Sequence, residues 1–172
     1  MVFPRIVITG PESSGKTTLC RYLADTLQIP MALEYARIYL EAYGPDYDLE
    51  ILQTIAREHL EYQQQQVPES ARLGLFDTDL INFKIWADEV FGCCPDEITQ
   101  GIRNEAHHRY LLCAPDLPWE PDPLRENPDN RDYLFQRHLG EIQRLGRPYE
   151  IVRGSGDARL RSADEAIRKL LR

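Results

Sequence analysis

Residues 3–17, Phe3-Pro-Arg-Ile-Val-Ile-Thr-Gly10-Pro-Glu-Ser-Ser-Gly15-Lys16-Thr17, decide the fold. The apolar run 3–9 reads as a buried strand, and Leu19, Leu23 and Leu27 recur at i, i+4 and i+8, so 16–28 reads as a helix. Between the two lies a complete Gly-x-x-x-x-Gly-Lys-Thr match, with Pro11, Glu12, Ser13 and Ser14 in its variable positions and Thr18 just beyond it. Glycine at 10 and 15 permits backbone conformations closed to residues with a Cβ, so that successive N–H groups can turn inward around phosphate oxygens. A helix opening at Lys16 adds its positive dipole end. Lys16 can reach the β- and γ-phosphates, and the Thr17 hydroxyl suits Mg²⁺. The segment therefore predicts a nucleoside triphosphate site, although the loop alone does not separate a kinase from a GTPase, a motor or a DNA-linked ATPase.

Outward from this unit, short apolar runs alternate with helical periods. Strands are expected at 30–34, 73–77, 109–114 and 149–153, and helices at 48–65, 79–91, from Pro95 onward, and at 131–145. Ser162-Ala-Asp-Glu165 has the form of a capping box and predicts a last helix starting there, with Ile167, Leu170 and Leu171 on one face. Strands alternating with helices imply a mostly parallel sheet covered on both sides, the α/β class. No internal repeat is present, and Gln63–Gln66 reads as a solvated helix face.

A chain of 172 residues fits a single domain, 1–172, and is long enough to bury roughly 70% of its unfolded surface. Lys+Arg is 20 against Asp+Glu 28, a net charge of −8, which argues against nucleic acid or an anionic membrane as the main partner. No apolar run approaches the ~18 residues of a membrane span, and the N-terminus has no signal-peptide pattern. Cys20, Cys93, Cys94 and Cys113 lack paired ligand spacing and read as reduced thiols, so the cytoplasm is expected. The four histidines show no metal spacing, and His107-His108 reads as a polar helix end.

Two carboxylates stand where α/β sheets place their chemistry, at strand ends. Asp77 closes the apolar strand 73–76 and fits the metal side of the site. Asp79 lies just before a helix and suits a cap, with a substrate contact as the alternative. Glu34, in Glu34-Tyr35-Ala36-Arg37, follows the second strand and could take the proton of an attacking hydroxyl, with Arg37 near enough to orient phosphate or substrate.

At this point the residues resemble a family. LEYAR (33–37), FDTDLINFKIWADEVFG (76–92), RYLLCAPDLPW (109–119) and DPLRENPDNR (122–131) are similar to the ribosylnicotinamide kinase domain of NAD-salvage proteins. The likeness runs from the first strand to about residue 155. It implies a five-stranded parallel sheet in the order 2-3-1-4-5 and ATP- and Mg²⁺-dependent phosphorylation of nicotinamide riboside to nicotinamide mononucleotide. Some members carry an upstream adenylyltransferase domain; this chain opens on the phosphate-loop strand, so kinase activity alone is expected.

The resemblance also gives roles to the remaining candidates. Residues 115–128 hold five of the twelve prolines, a connection too long to be a plain linker, and 115–131 reads as a lid closing over the phosphates. Arg125 and Arg131 on its far side would match charge on the transferring phosphoryl group. Nicotinamide riboside carries a cationic ring, which aromatic faces and carboxylates would hold; Tyr35, Trp86, Trp119, Asp79, Asp116 and Asp122 offer that chemistry. Trp86 reads equally well as core, at helical spacing with Phe83 and Val90. Gly154-Ser155-Gly156 would border the adenine, small enough for the base to approach the backbone. The rival readings are a kinase for another nucleoside or small metabolite, and a regulatory ATP-binding module with no acceptor.

Overall fold

Strand β1 (Arg5–Thr9) is buried at every position and pairs in parallel with β3 (Gly74–Asp77) on one side and β4 (His108–Cys113) on the other. In the computed structural model, which describes residues 3–172, β2 (Met31–Ala32) and β5 (Tyr149–Val152) complete a five-stranded, all-parallel sheet ordered β2-β3-β1-β4-β5. The α/β class and the 2-3-1-4-5 order expected from the sequence are both present. Met1 and Val2 of the expected domain lie outside the described residues.

Among the described residues, seven helices cover the sheet: α1 (Lys16–Leu27), α2 (Tyr35–Tyr43), α3 (Leu49–Gln66), α4 (Leu80–Phe91), α5 (Asp96–Asn104), α6 (Arg131–Arg144) and α7 (Gly156–Leu170). Period-two alternation in the strands divides the core. Ile6, Ile8, Leu75, Leu111 and Cys113 pack against α1 and α7, whereas Val7, Phe76, Tyr110 and Leu112 face α2 through α6. Each such aliphatic side chain removed from water contributes about 1.5–3 kcal/mol, so burial of both faces outweighs the weak pairing of the two-residue β2.

Helix α2 answers only to the alternative reading of Glu34 as a helix start beside Arg37, because its short, tyrosine-rich sequence after the strand at 30–34 buries only Ala36 and Leu40. Three local readings are corrected. Helix α7 starts at Gly156, not at Ser162; Ser155 is its N-cap, and the Ser162 hydroxyl accepts a bond from the Arg153 N–H instead of capping anything. Gln63 is no solvated residue: it is buried and donates to the Thr78 carbonyl at 3.1 Å. His108 opens β4 and is buried, so the pair His107-His108 is not a helix end. Among the described residues, no helix is long and apolar enough to cross a membrane.

The phosphate loop joins the sheet by close contact. A Cβ at Gly10, whose φ is 138°, would stand 2.7 Å from the Cys113 carbonyl oxygen. Gly10→Ala is therefore expected to cost about 3 kcal/mol, a fall of about 6–12 °C in Tm by thermal unfolding. Acid sensitivity has an identifiable source as well. His138 on α6 is buried with Nδ1 at 2.8 Å from the Leu134 carbonyl, and burial depresses its pKa from 6.5 to about 4. A depressed pKa stabilises the fold above 6.5, and this contribution is lost as pH falls from 6.5 toward 4. Denaturant titrations at pH 7 and pH 4.5 should show His138→Gln losing less stability on acidification than the parent, by up to about 3 kcal/mol.

Candidate active site

The β1–α1 loop is shaped by three left-handed residues, Ser13 (φ 53°), Gly15 (φ 75°) and Gly10 at its root. Gly15 occupies the N-cap position of α1 and supplies no side-chain cap, which leaves the first amides of the helix facing the loop's concavity. The Ser14 hydroxyl donates to the Pro11 carbonyl at 2.7 Å, and Lys16 Nζ donates to the same oxygen at 2.9 Å. The ammonium is thus folded back over the loop that an anion would fill.

Thr17 and Asp77 meet at the end of the central strands. Thr17 Oγ1 donates to Asp77 Oδ2 at 2.5 Å, while Asp77 Oδ1 is buried without any partner. Burial first, and then the charge of Glu34, push the Asp77 carboxyl up to about 7, against the opposing pull of Lys16 and the Thr17 hydroxyl. A buried carboxylate oxygen with no donor beside a threonine hydroxyl is a donor set that a hard divalent cation fits.

From the loop a cavity of about 720 Å³ extends across the ends of the strands. It is lined by 10–18 on the phosphate side, and elsewhere by Glu34, Arg37, Tyr47, Asn82, Trp86 and Glu89. Glu34 holds the N-cap position of α2 without capping it, so its carboxylate is left free at the cavity wall. Trp86 is half-buried on α4 and meets Tyr47 edge-on, with ring centroids 4.7 Å apart. Of its two sequence readings, neither excludes the other: Phe83 beside it is core, Val90 is exposed, and Trp86 bridges the core and the cavity.

Residues 115–131 lie across the loop as an ordered cover. Glu12 Oε2 accepts from the amides of Glu126 (3.0 Å) and Asn127 (2.9 Å), and Ser13 Oγ accepts from the amide of Glu120 at 2.9 Å. Arg125 lines the cavity and donates to the Glu120 carbonyl at 2.6 Å. Arg131 is outside the cavity lining. Its Nη1 donates to the carbonyls of Leu117 (2.7 Å) and Ser13 (3.2 Å), with its guanidinium carbon 5.9 Å from the Trp119 ring centroid. Asp122 pairs with Arg37 at 3.1 Å, joining the cover to α2. At its root, Asp116 Oδ2 accepts from the Gly154 amide at 2.7 Å.

Several residues expected at the acceptor or base are elsewhere. Asp79 is fully buried and does not line the cavity; Oδ1 caps α4 through the Ile81 amide, and Oδ2 accepts from the Tyr110 hydroxyl and meets His108. Tyr35 also faces away, its hydroxyl donating to Glu58 at 2.8 Å and its ring packed on Tyr39 and Tyr62. Trp119, Asp122, Gly154 and Ser155 are absent from the cavity wall, and of that last turn only Gly156 reaches it. The sequence reading missed Tyr47, Asn82, Glu89 and above all Arg159. This buried arginine of α7 lines the cavity and donates to the Ser14 carbonyl at 2.6 Å and the Gly154 carbonyl at 3.1 Å. Its only sequence signal is its position one turn past the small-residue turn.

Comparisons with known proteins agree with this architecture. The trifunctional NAD biosynthesis/regulator proteins NadR of Salmonella typhimurium and Escherichia coli are each 28% identical over 142 residues, covering 80% of this chain. The chain spans about a third of their length, 35%. The NadR protein solved in complex with NR superposes with a TM-score of 0.80 at 21% identity, over 98% of this chain and 50% of that one. Thymidylate kinase from Ehrlichia chaffeensis gives 0.64 at 13% identity, over the whole of both chains. At these identities the solved structures establish the fold. Residues 5–159, from the first strand to the arginine behind the loop, match the AAA domain family, and the chain belongs to it.

Proposed function

We propose that the chain is a cytoplasmic, ATP- and Mg²⁺-dependent phosphotransferase that phosphorylates nicotinamide riboside at its 5′ hydroxyl, giving nicotinamide mononucleotide for NAD salvage. One observation carries this reading: a single cavity joins the phosphate loop to Glu34, Glu89, Tyr47 and Trp86, under a cover that brings Arg125. The aromatic faces of Tyr47 and Trp86 suit a cationic pyridinium ring, and Lys16 is the one lysine among the lining residues. The NadR relatives, named for NAD biosynthesis, and the NadR structures with NR and with NAD and AMP-PNP support the same choice of donor and acceptor.

In this mechanism the loop amides of 10–18 and Lys16 hold the triphosphate in line with the acceptor. Gly156, at the turn after β5, leaves room for the base at the other end. Thr17 and Asp77 would hold magnesium, which supplies positive charge to the β- and γ-phosphate oxygens. Glu34 accepts the proton of the acceptor hydroxyl as its oxygen bonds to the γ-phosphorus and the bond to the bridging oxygen breaks, leaving ADP. Arg125 matches the charge spread over the transferring oxygens, and Arg131 positions the cover by tying Leu117 to Ser13. Arg37 is held toward the acceptor end by Asp122. With the cover closed, water is kept from competing as acceptor.

Incubation with ATP, Mg²⁺ and a panel of nucleosides, followed by mass spectrometry, should give nicotinamide mononucleotide and ADP in equal amounts. Faster turnover of another nucleoside would reassign the acceptor, and ATP hydrolysis indifferent to every acceptor would reduce the chain to an ATP-binding module. Lys16→Ala is expected to lower turnover by at least about 10²–10³-fold with Tm unchanged. Glu34→Gln should bind ATP as the parent does yet transfer phosphate about 10²-fold or more slowly. Tighter or weaker ATP binding in that variant would place Glu34 on the nucleotide and not on the acceptor.

A further inference from the structure

On the sheet face covered by α2 through α6, and outside the cavity wall, three elements converge on one point. Asp79 at the N-cap of α4, Glu105 at the C-cap of α5 and His108 at the start of β4 each bring a ligand atom within 4.8 Å of the other two. All three are buried, with relative exposures of 0%, 6% and 2%. His108 Nδ1 is 2.9 Å from Asp79 Oδ2 and 3.8 Å from Glu105 Oε2. No side chain donates to the Glu105 carboxylate, which only the Leu80 amide approaches, and both ring nitrogens of His59, fully buried and within the field of Asp79 and His108, lack a partner. The guanidinium of Arg147 donates to the main-chain carbonyls of Glu105 and Ile102 and forms no ion pair with the Glu105 carboxylate, although its charge still acts on it.

Two carboxylates and unpartnered polar atoms in one dry pocket are costly unless a cation compensates them. We propose that Asp79, Glu105 and His108 form a buried structural site for a divalent transition-metal ion, Zn²⁺ by first choice. Tetrahedral zinc with bonds of ~2.0–2.2 Å sets its ligand atoms about 3.3–3.6 Å apart, and the two distances from His108 bracket that value. Two carboxylates and a neutral imidazole match the charge of a 2+ ion, while the Arg147 guanidinium beside them is held on main-chain carbonyls. Mixed oxygen and imidazole donors suit Zn²⁺ and its neighbours, whereas Mg²⁺ keeps several waters that a closed pocket cannot admit. Binding displaces the proton between His108 Nδ1 and Asp79, and Asp79 is already aimed by the Tyr110 hydroxyl at 2.6 Å and the Ile81 amide at 3.1 Å.

The position has a structural consequence. Thr78, at φ 69°, separates Asp79 from Asp77, and its carbonyl is held by Gln63 at 3.1 Å. An ion on Asp79 fixes the turn from which Asp77 reaches the phosphate site, while touching neither nucleotide nor acceptor.

The test uses the full chain, stripped with a chelator and titrated with Zn²⁺ in excess Mg²⁺ to block the phosphate site. About one equivalent should bind, raising Tm by about 5–10 °C at a concentration near 100 times Kd, and Glu105→Gln should weaken binding by more than about 100-fold. No Mg²⁺-resistant equivalent, or unchanged affinity in Glu105→Gln, would overturn the site and leave Glu105 as a buried neutral acid. Should that variant fail to fold, anomalous diffraction at the zinc edge from the parent decides: density between Asp79, Glu105 and His108 supports the site, and density only elsewhere, at Cys93-Cys94 for example, rejects it.

Discussion

A carboxylate with one oxygen bonded and the other bare, buried where the third strand ends, sets the conditions for the whole catalytic end of this molecule. Asp77 can be held there only because Thr17, in the first turn of α1, donates to it, and because β1 and β3 run parallel in a register that pairs Ile8 with it. Its unmet oxygen and its raised pKa are two expressions of one constraint, since charge has been brought into a place that water does not reach. The loop glycines, the covering helices and the closeness of Gly10 to the Cys113 carbonyl keep that place small. An unpartnered group of this kind in a native core is stored work, released when a cation arrives.

Acidic side chains outnumber basic ones along the cavity, so its cations act by placement and not by bulk charge. Lys16, Arg37, Arg125 and Arg159 line it among Glu12, Glu34, Glu89, Glu120, Glu126 and Asp157. Arg159 adds rigidity at the phosphate end. By donating to carbonyls of the loop and of the β5–α7 turn, it links the two backbone segments that flank the phosphate end.

The fold was legible because its signals are local. Glycines at 10 and 15, leucines at helical spacing and apolar strand runs each constrain only a few neighbouring residues, and the sheet order followed from the family likeness. The acceptor end was not legible to the same degree. Asp79 and Tyr35 have the right chemistry at the right place in the chain, but the positive φ of Thr78 turns Asp79 beneath the sheet, and helical rotation in α2 carries Tyr35 onto α3. Tyr47, Asn82 and Glu89 sit in no motif, and only three-dimensional proximity selects them. The true start of α7 was hidden by Gly156, a residue that ordinarily ends helices, and by the charged turn that follows it.

Two of the four positions that the phosphate-loop signature leaves free have a task of their own in this chain. Glu12 and Ser13 take up three amides of the overlying segment, and the Ser13 carbonyl takes up Arg131. The same strip of backbone that cradles anions therefore also serves as the clasp for the flap above it. Wildcards in a consensus are not spare letters: exchanging them would leave a loop still able to seat a phosphate, beneath a roof no longer fastened down.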